Sequence, residues 1–193
     1  MSRPSTSNKR KTALELFRQD TQRWIRPEEV AHPSEVTLVK TLNLLVRHPS
    51  LQAMLIFRLG SWGRSKGLPF FTITSQQIIY FLYGLEMSPG ADIDGGLYIA
   101  HPNGTVISVQ RIGENCSIIA NVTLGLRNVY AFPTIGNNVF IGAGARVLGG
   151  VHVGDNARIG ANAVVIKDIP AGATAVGVPA KIIKTCAETH PAP

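Results

Sequence analysis

The sequence predicts a mainly β protein in which a parallel β-helix follows a small helical region. Three observations support this prediction. β-branched residues recur every six positions between residues 135 and 165. Glycine becomes frequent after Pro89, where the helical spacing of apolar residues stops. Before that point, apolar residues are spaced as on amphipathic helices. The chain has 193 residues, 45% of them hydrophobic, which is enough for a sizeable core.

The first 30 residues are polar and basic and contain proline. Such a segment has little apolar surface to bury. We therefore expect residues 1–30 to be a flexible arm with one short helix around ALELFRQ, residues 13–19.

Residues 31–88 are expected to form two or three amphipathic helices. Two groups of apolar residues recur at helical steps, with breakers at Pro49 and at the GLP of residues 67–69. The groups are Leu38, Leu42, Leu45 and Val46, and then Leu51, Met54, Leu55, Leu59 and Trp62. His48 directly precedes Pro49, so we expect it at a helix start.

The six-residue repeat predicts a coil over residues 89–176, followed by a C-terminal tail, residues 177–193. The leading positions are all Ile or Val and are mostly followed by glycine: Ile135, Ile141, Val147, Val153, Ile159 and Val165. Each branched side chain points into a narrow core, and the next residue bends the chain at a corner where glycine tolerates φ > 0. Small or apolar residues four places on fit a second inward position: Val139, Ala145, Val151, Ala157 and Ala163. One unit cannot bury its own face, so the units must stack coil upon coil.

The repeat is interrupted twice. Upstream, the register continues through Leu124, Ile118, Ile112 and Val106, but Ile99 and Ile93 are one residue out of step. One extra residue therefore lies in IAHPNGT, residues 99–105. The second interruption is GLRNVYAFPT, residues 125–134, which predicts an excursion from the coil. Because regular coils are scaffold, function is expected at the interruptions, and the first contains His101.

Composition restricts the classes of function. The net charge of +7 suits an anionic partner, without choosing among nucleic acid, a membrane surface and a phosphorylated small molecule. Cys116 and Cys186 lie far apart without a CxxC or Cys/His cluster, so neither a disulfide framework nor a zinc site is indicated. Cys116 falls at an inward position and is expected to pack in the core. No targeting segment or membrane-length apolar run is present, which predicts a soluble cytoplasmic protein.

The motifs HPNGTVI, NVTLG, IGAGARVLGG, IGANAVV and VGVPAKI resemble those of the hexapeptide-repeat acyltransferases, most closely the serine acetyltransferase branch. The similarity covers residues 48–184 and includes HPSLQAMLIFRLGSW and YGLEMSPGADIDGGLYIAH. The resemblance implies a left-handed coil with three hexapeptides per turn. It also implies acetyl-CoA as acyl donor, no metal, no nucleic acid, and a homotrimer or dimer of trimers with active sites between subunits.

The resemblance assigns His101 as the general base. Its imidazole would accept the proton of an acceptor hydroxyl as that oxygen attacks the thioester, and would return it to the departing thiolate. Backbone N–H groups at the coil corners would stabilise the oxyanion. Glu86 matches a family carboxylate, usually Asp, fifteen residues before the base, and is expected to orient His101. A solvated residue ahead of the coil is the alternative for Glu86.

Five residues are expected to line the binding site of the acyl donor. The resemblance implies that the small residues Ala143 and Ala161 let the pantetheine arm approach the backbone. The resemblance also places Gly125, Lys167 and Lys181 beside the cofactor, where the two lysines would contact its phosphate groups. Ordinary surface charge remains the alternative for both lysines. His152 lies inside a regular coil and is expected at the surface or at a subunit contact.

This sequence departs from the family at positions that hold the acceptor substrate. Serine acetyltransferases carry an Asp directly before the base and an Arg-His pair in the loop before the next IG. Here those positions are Ala100 and Ala131 with Phe132. Each lost charged hydrogen bond removes about 1.5–3 kcal/mol, so a free amino acid is expected to be a poor acceptor. The interpretation is an acetyl-CoA-dependent O-acetyltransferase acting on a sugar hydroxyl in surface polysaccharide biosynthesis. Serine O-acetylation in cysteine biosynthesis is the alternative.

Two further classes of function rank lower. A metal-dependent lyase of the carbonic anhydrase type needs three histidine ligands, and only His101 and His152 lie in the coils. A non-catalytic trimeric scaffold would form the same coil without binding acetyl-CoA.

Overall fold

The computed structural model describes residues 11–25 and 32–185, and within them four α-helices precede fifteen short strands. The helices are α1 (Ala13–Gln22), α2 (Leu38–Arg47), α3 (Pro49–Ser65) and α4 (Pro69–Tyr83), with a 3₁₀ turn at Pro33–Glu35. The first strands are β1 (Glu86–Met87), β2 (Asp92–Ile93), β3 (Tyr98–His101), β4 (Val106–Ile107), β5 (Arg111–Ile112), β6 (Ser117–Ala120), β7 (Thr123–Gly125) and β8 (Thr134–Ile135). The remaining strands are β9 (Phe140–Ile141), β10 (Arg146–Leu148), β11 (His152–Val153), β12 (Arg158–Ile159), β13 (Val164–Val165), β14 (Ala173–Val176) and β15 (Lys181–Thr185).

The strands form three sheets, which are the faces of a triangular coil. Sheet A contains β1, β4, β7, β10 and β13, sheet B contains β2, β5, β8 and β11, and sheet C contains β3, β6, β9, β12, β14 and β15. The chain passes from A to B to C and back to A, and all pairings except β14 with β15 are parallel. In the regular coils the partners lie 18 positions apart, as in Phe140 with Arg158. The predicted fold, a left-handed parallel β-helix preceded by helices, is confirmed.

Both predicted series of inward residues are buried. The leading Ile and Val residues from Ile135 to Val165 are at most 1% exposed, and the second series is buried as well. Asn rather than Gly often has the left-handed conformation at the corners, as at Asn138 (φ 55°), Asn156 (φ 59°) and Asn162 (φ 57°). Asparagine tolerates this region better than other residues that carry a Cβ.

The prediction that the glycines after the leading residues are needed for φ > 0 is wrong. Gly142 and Gly154 do not have a left-handed backbone. A Cβ on Gly142 would lie 2.7 Å from the backbone N of Ala161, and a Cβ on Gly154 would lie 2.5 Å from that of Ala171. These positions are glycine because successive coils approach too closely there for a side chain.

The register beside His101 also differs from the prediction. Val106 is only half-buried, and its neighbour Ile107 points inward and is fully buried. The inward step from Ile99 to Ile107 is therefore eight residues, and the next, to Ile112, is five. The sequence fits a single insertion over this stretch, but the structure places two extra residues at one corner and removes one from the next.

Helices α3 and α4 close the N-terminal end of the coil. Met54, Phe57 and Ile79 are buried and join the same core cluster as Leu85 and Met87 of the first coil. His48 directly precedes α3, whose first residue is Pro49, as predicted. At the other end, β15 lies within the expected C-terminal tail and pairs antiparallel with β14.

Residues 13–22, expected within a flexible arm, form helix α1. The backbone N–H of Thr12 donates to the Glu15 carboxylate (2.6 Å), and the Thr12 hydroxyl accepts from the backbone N–H of Glu15 (3.3 Å). This capping box defines the start of α1. The short helix expected around residues 13–19 is thus confirmed, but its buried Phe17, Asp20 and Thr21 show that it packs on the molecule and is not part of a free arm. Residues 1–10 and 26–31 lie outside the described residues.

A buried ion pair attaches α1 and α3 to the first coil. The Arg58 guanidinium donates to both carboxylate oxygens of Asp20 (2.9 and 3.1 Å) and to the carbonyl oxygens of Ile93 (2.6 Å) and Asp94 (2.7 Å). The Asp20 carboxylate also accepts from the backbone N–H groups of Gly96 and Leu97. Burial raises the pKa of Asp20, whereas Arg58 and the two N–H donors act in the opposite direction. Each side-chain nitrogen and oxygen of the pair therefore has a hydrogen-bond partner, as a buried pair requires.

We expect Asp20→Asn to destabilise the protein by about 3–5 kcal/mol, because Arg58 would keep a buried charge without its counter-charge. The matched control is Asp94→Asn. Asp94 pairs with Arg111 at 2.6 Å on the surface, where the Arg111 side chain is 54% exposed. That change should cost about 0.2–1 kcal/mol. Urea unfolding followed by circular dichroism measures both, and equal losses would contradict this account of the buried pair.

Candidate active site

His101 lies at the edge between sheets C and A, which we call the C–A edge. It is the last residue of β3 and pairs with Ala120 of the next coil. Its side chain is exposed, and its carbonyl oxygen accepts a hydrogen bond from the Thr105 hydroxyl (3.4 Å). The eight-residue inward step begins at Ile99, two residues before His101, and the extra residues form a turn directly after the histidine. Gly104 has φ 71° in this turn, and its N–H donates to the carbonyl oxygen of Gly84 (2.9 Å).

Glu86 lies beside the turn that follows His101. Its backbone N–H donates to the Thr105 carbonyl oxygen (3.0 Å), and it pairs with Val106 in sheet A. Its side chain is exposed. Among the described residues, no hydrogen bond or ion pair joins the Glu86 carboxylate to the His101 ring. The orienting role of Glu86 therefore stays a prediction.

An open cleft of about 440 Å³ adjoins the same turn. Its lining residues include Glu86 and Asn103, and Tyr80 and Phe81 near the end of α4. The sequence analysis missed Asn103 and the two aromatic residues as possible site residues. The only available signal was their proximity in sequence to Glu86 and His101, because the cleft forms where α4 meets the first coil.

Ala143 and Ala161 lie along the C–A edge, on coils beyond that of His101. Ala143 follows β9 and Ala161 follows β12, and the Asn162 N–H donates to the Ala143 carbonyl oxygen (2.8 Å). Ala143 is half-buried and Ala161 is exposed. Small side chains at these corners leave the backbone of the edge accessible to a ligand.

Gly125 and Lys167 lie on a different edge, between sheets A and B, which we call the A–B edge. Gly125 ends β7, and a Cβ added there would meet only the Thr123 methyl group, at 3.9 Å. Lys167 follows β13 and is exposed. Lys181 is exposed at the start of β15, where it pairs with Val176. One chain therefore does not bring all seven predicted residues together.

The predicted excursion also leaves the coil at the A–B edge. Between β7 and β8 the chain projects as a loop, residues 126–133, in which Val129 and Tyr130 are exposed. The Tyr130 and Phe132 rings pack edge to face with centroids 5.1 Å apart. Arg127 in this loop is exposed as well. The loop thus exposes Arg127 and Tyr130 at the A–B edge.

The second histidine of the coils, His152, lies on sheet B. His152 is exposed in β11, and its backbone N–H donates to the Asp168 carboxylate (2.8 Å). Within the described ranges, no group of three or more His, Cys, Asp or Glu side chains could hold a metal ion. The helices of the described part are too short or too polar to cross a membrane.

Cys116 is part of the core, as predicted. It is fully buried, and its thiol donates to the Gly136 carbonyl oxygen (3.1 Å). Burial raises the pKa of the thiol to about 11. Since the thiolate is the reactive form, this thiol is unsuited to nucleophilic catalysis near neutral pH.

Comparison with known proteins identifies close relatives. The family "Bacterial transferase hexapeptide (six repeats)" matches residues 132–167. A serine acetyltransferase of Helicobacter pylori (strain J99) is 43% identical over 145 residues, which are 73% of this chain and 85% of that protein. The soybean serine acetyltransferase complexed with serine has a TM-score of 0.75 and 28% identity, covering 89% of this chain and 70% of that one. A serine acetyltransferase in complex with CoA has a TM-score of 0.74 and 28% identity, covering 89% and 69%.

These relatives overturn the interpretation of a sugar hydroxyl as acceptor. That interpretation, and the glycan partner and polysaccharide biosynthesis that go with it, rested on Ala100 and on Ala131 with Phe132. The Helicobacter relative, similar over most of its length, is a serine acetyltransferase. The absence of a few family side chains at these positions weakens particular contacts but does not by itself identify the acceptor.

We expect Cys116 to be inert to thiol reagents in the folded protein. With a pKa of about 11, roughly one thiol in a thousand is ionised at pH 8. In a Cys186→Ser variant, DTNB should react with almost no thiol in buffer and with one per chain in denaturant. Rapid reaction of the native variant would show that Cys116 is accessible.

Proposed function

The chain belongs to the serine acetyltransferase branch of the hexapeptide-repeat transferases, and from this we propose that it acetylates the hydroxyl of L-serine. It is an acyltransferase that uses acetyl-CoA as co-substrate. The observation that carries the proposal is the position of His101, which is exposed at the corner where the coil is interrupted, two residues before Asn103, and Asn103 lines an open cleft.

His101 is the proposed general base. The imidazole takes the proton of the serine hydroxyl as that oxygen attacks the thioester carbon. Backbone N–H groups of the C–A edge donate hydrogen bonds to the resulting oxyanion. Collapse of the tetrahedral intermediate breaks the carbon–sulfur bond, and the imidazolium protonates the departing CoA thiolate. The acetyl group passes directly to serine, so no covalent enzyme intermediate forms.

Glu86 is the proposed positioning residue for His101. The hydrogen bond from the Glu86 backbone to Thr105 holds its strand against the turn that follows the histidine. A carboxylate there can fix the orientation of the imidazole and stabilise its protonated form during transfer. The cleft that Glu86 shares with Asn103 is the proposed space for the serine.

The proposed assembly is a trimer in which two subunits complete each site. His101, Ala143 and Ala161 lie on the C–A edge, whereas Gly125, Lys167 and the loop of residues 126–133 lie on the A–B edge. These edges are separated by the width of sheet A in one chain. A cyclic trimer sets the C–A edge of one subunit against the A–B edge of the next, so the pantetheine arm of CoA lies between them. Lys167 and Lys181 are proposed to contact its phosphates.

We expect His101→Ala to lower kcat by about 10²–10⁴-fold in acetyl transfer from acetyl-CoA to L-serine, because the general base is removed. His152→Ala is the matched control: this histidine is also exposed on a coil strand, and its change should leave the rate within about twofold. Loss of thioester absorbance measures the rate, and mass spectrometry identifies O-acetylserine. A wild-type enzyme that releases CoA no faster with L-serine than without it would refute serine as acceptor.

The role of Glu86 has a separate test. Glu86→Gln should lower kcat about tenfold or more and change the pH dependence of the rate, while the KM for acetyl-CoA stays nearly constant. Glu86→Asp, the residue usual in the family, should keep most of the activity. If Gln and Asp variants both match the wild type in rate and pH profile, Glu86 is a solvated residue without a part in the reaction.

A further inference from the structure

A polar residue, Thr105, lies at an inward position of the coil, directly after the turn that follows His101. Strand pairing aligns four residues in one row of sheet A: Val106, Thr123, Arg146 and Val164. The residues that precede them therefore occupy equivalent positions, and all four are fully buried: Thr105, Val122, Ala145 and Ala163. Three of these are apolar, as the stacked interior of a coil requires. Thr105 is the exception, because it places a hydroxyl where the other coils place only carbon.

The Thr105 hydroxyl makes a hydrogen bond within the turn. It donates to the carbonyl oxygen of His101 (3.4 Å), and among the described residues this is the one hydrogen bond that the hydroxyl makes. Thr105 is 0% exposed, so bulk water does not compete for the bond. A buried hydroxyl without a partner is costly, and the position of the His101 carbonyl is therefore coupled to that of Thr105.

The Thr105 backbone connects the same turn to Glu86. Its N–H donates to the Pro102 carbonyl oxygen (3.1 Å), which closes the turn, and its carbonyl oxygen accepts from the Glu86 N–H (3.0 Å). One buried residue is thus bonded to the backbone of His101 through its side chain and to that of Glu86 through its carbonyl. These two residues are the proposed general base and the proposed partner of its imidazole.

The corner beside His101 has fewer constraints than the regular corners of the C–A edge. Across a regular corner, from Ile141 to Ala145, the inward step is four residues, whereas from Ile99 to Thr105 it is six. In addition, β3 is the outermost strand of sheet C, so among the described strands it pairs on one side only, with β6. The bond from Thr105 to the last residue of β3 compensates for the longer turn and the missing neighbour.

We propose that Thr105 is a positioning residue for His101, a role that rests on the proposed function of His101 as general base. The hydroxyl holds the His101 carbonyl, and the backbone there fixes the direction in which the Cα–Cβ bond carries the imidazole out of the coil. Because the hydroxyl is buried, it acts through the histidine and not by contact with a substrate. Proton transfer needs the two heavy atoms within hydrogen-bond distance, and a misplacement of about 1 Å can cost about 100-fold in rate.

Thr105→Val removes the hydroxyl and keeps the shape of the side chain. Valine already fills the equivalent position of the next coil, at Val122. In acetyl transfer from acetyl-CoA to L-serine, kcat should fall about tenfold, because the imidazole is no longer held in place. The KM for acetyl-CoA should stay nearly constant, since the proposed donor contacts lie on later coils. Thr105→Ser keeps the hydroxyl and should retain kcat within about threefold of the wild type.

Thr21→Val is the matched control. Thr21 is also fully buried, and its hydroxyl also donates to the carbonyl oxygen four residues earlier, that of Phe17 in α1 (2.8 Å). The change should lower the urea midpoint to a similar extent as Thr105→Val but leave kcat within about twofold. A tenfold loss of kcat in Thr21→Val would show that the rate merely follows stability, and it would overturn the proposal.

A second background separates positioning of the imidazole from a general effect on the coil. His101→Ala has no imidazole to position, so adding Thr105→Val should change the remaining rate by less than about twofold. An equal loss in both backgrounds would contradict a role through His101. Wild-type kcat in Thr105→Val would also contradict it. Equal losses in the Val and Ser variants would assign the effect to packing and not to the hydroxyl.

Crystal structures of the variants test the proposal without an acceptor. In Thr105→Val the turn of residues 102–105 should shift and the His101 ring should occupy more than one position, whereas wild type and Thr105→Ser should show one position. An unchanged turn and ring in Thr105→Val overturn the proposal. The proposed function fails differently, when wild type releases CoA no faster with L-serine than without it, and the structures then still decide the role of Thr105.

Discussion

Successive coils stack with no room between their backbones for additional side chains, and the rest of the molecule follows from that constraint. Each six-residue unit adds one large branched residue and one small or apolar residue to the interior, and the next coil covers both. Gly142 and Gly154 show how tight the stacking is, because neither position has room for a Cβ. The interior cannot accept an extra residue, so additional chain must leave at an edge.

Both interruptions of the repeat are located at edges for this reason. The eight-residue inward step forms the turn beside His101 at the C–A edge, and the loop of residues 126–133 leaves at the A–B edge. The interruptions carry His101 and the exposed loop, and the regular coils between them fix the distance from one to the other. Because the two edges lie on opposite sides of sheet A, the geometry of one chain favours a site shared between subunits.

At the N-terminal end of the coil, the apolar interior of the first turn has no preceding coil to cover it. Helices α3 and α4 cover that turn, and the buried pair of Asp20 and Arg58 attaches α1 and α3 to its backbone carbonyl and N–H groups. The close contact of α3 with α4 uses Gly60 and Gly63. The same contact leaves the large residues of α4 outside, which is how covering the coil creates an apolar surface at the end of the molecule.

The sequence by itself determined the coil, the inward positions from Ile135 to Val165, the helices before it and the family. These features are periodic or local, so neighbouring residues carry the information. It placed the insertion near His101 but assigned Val106 inward instead of Ile107, because corner length depends on how two coils stack. It could not show that α1 packs through Asp20, that the site residues divide between two edges, or that α4 faces outward. Those depend on contacts between residues distant in sequence, which only the tertiary structure decides.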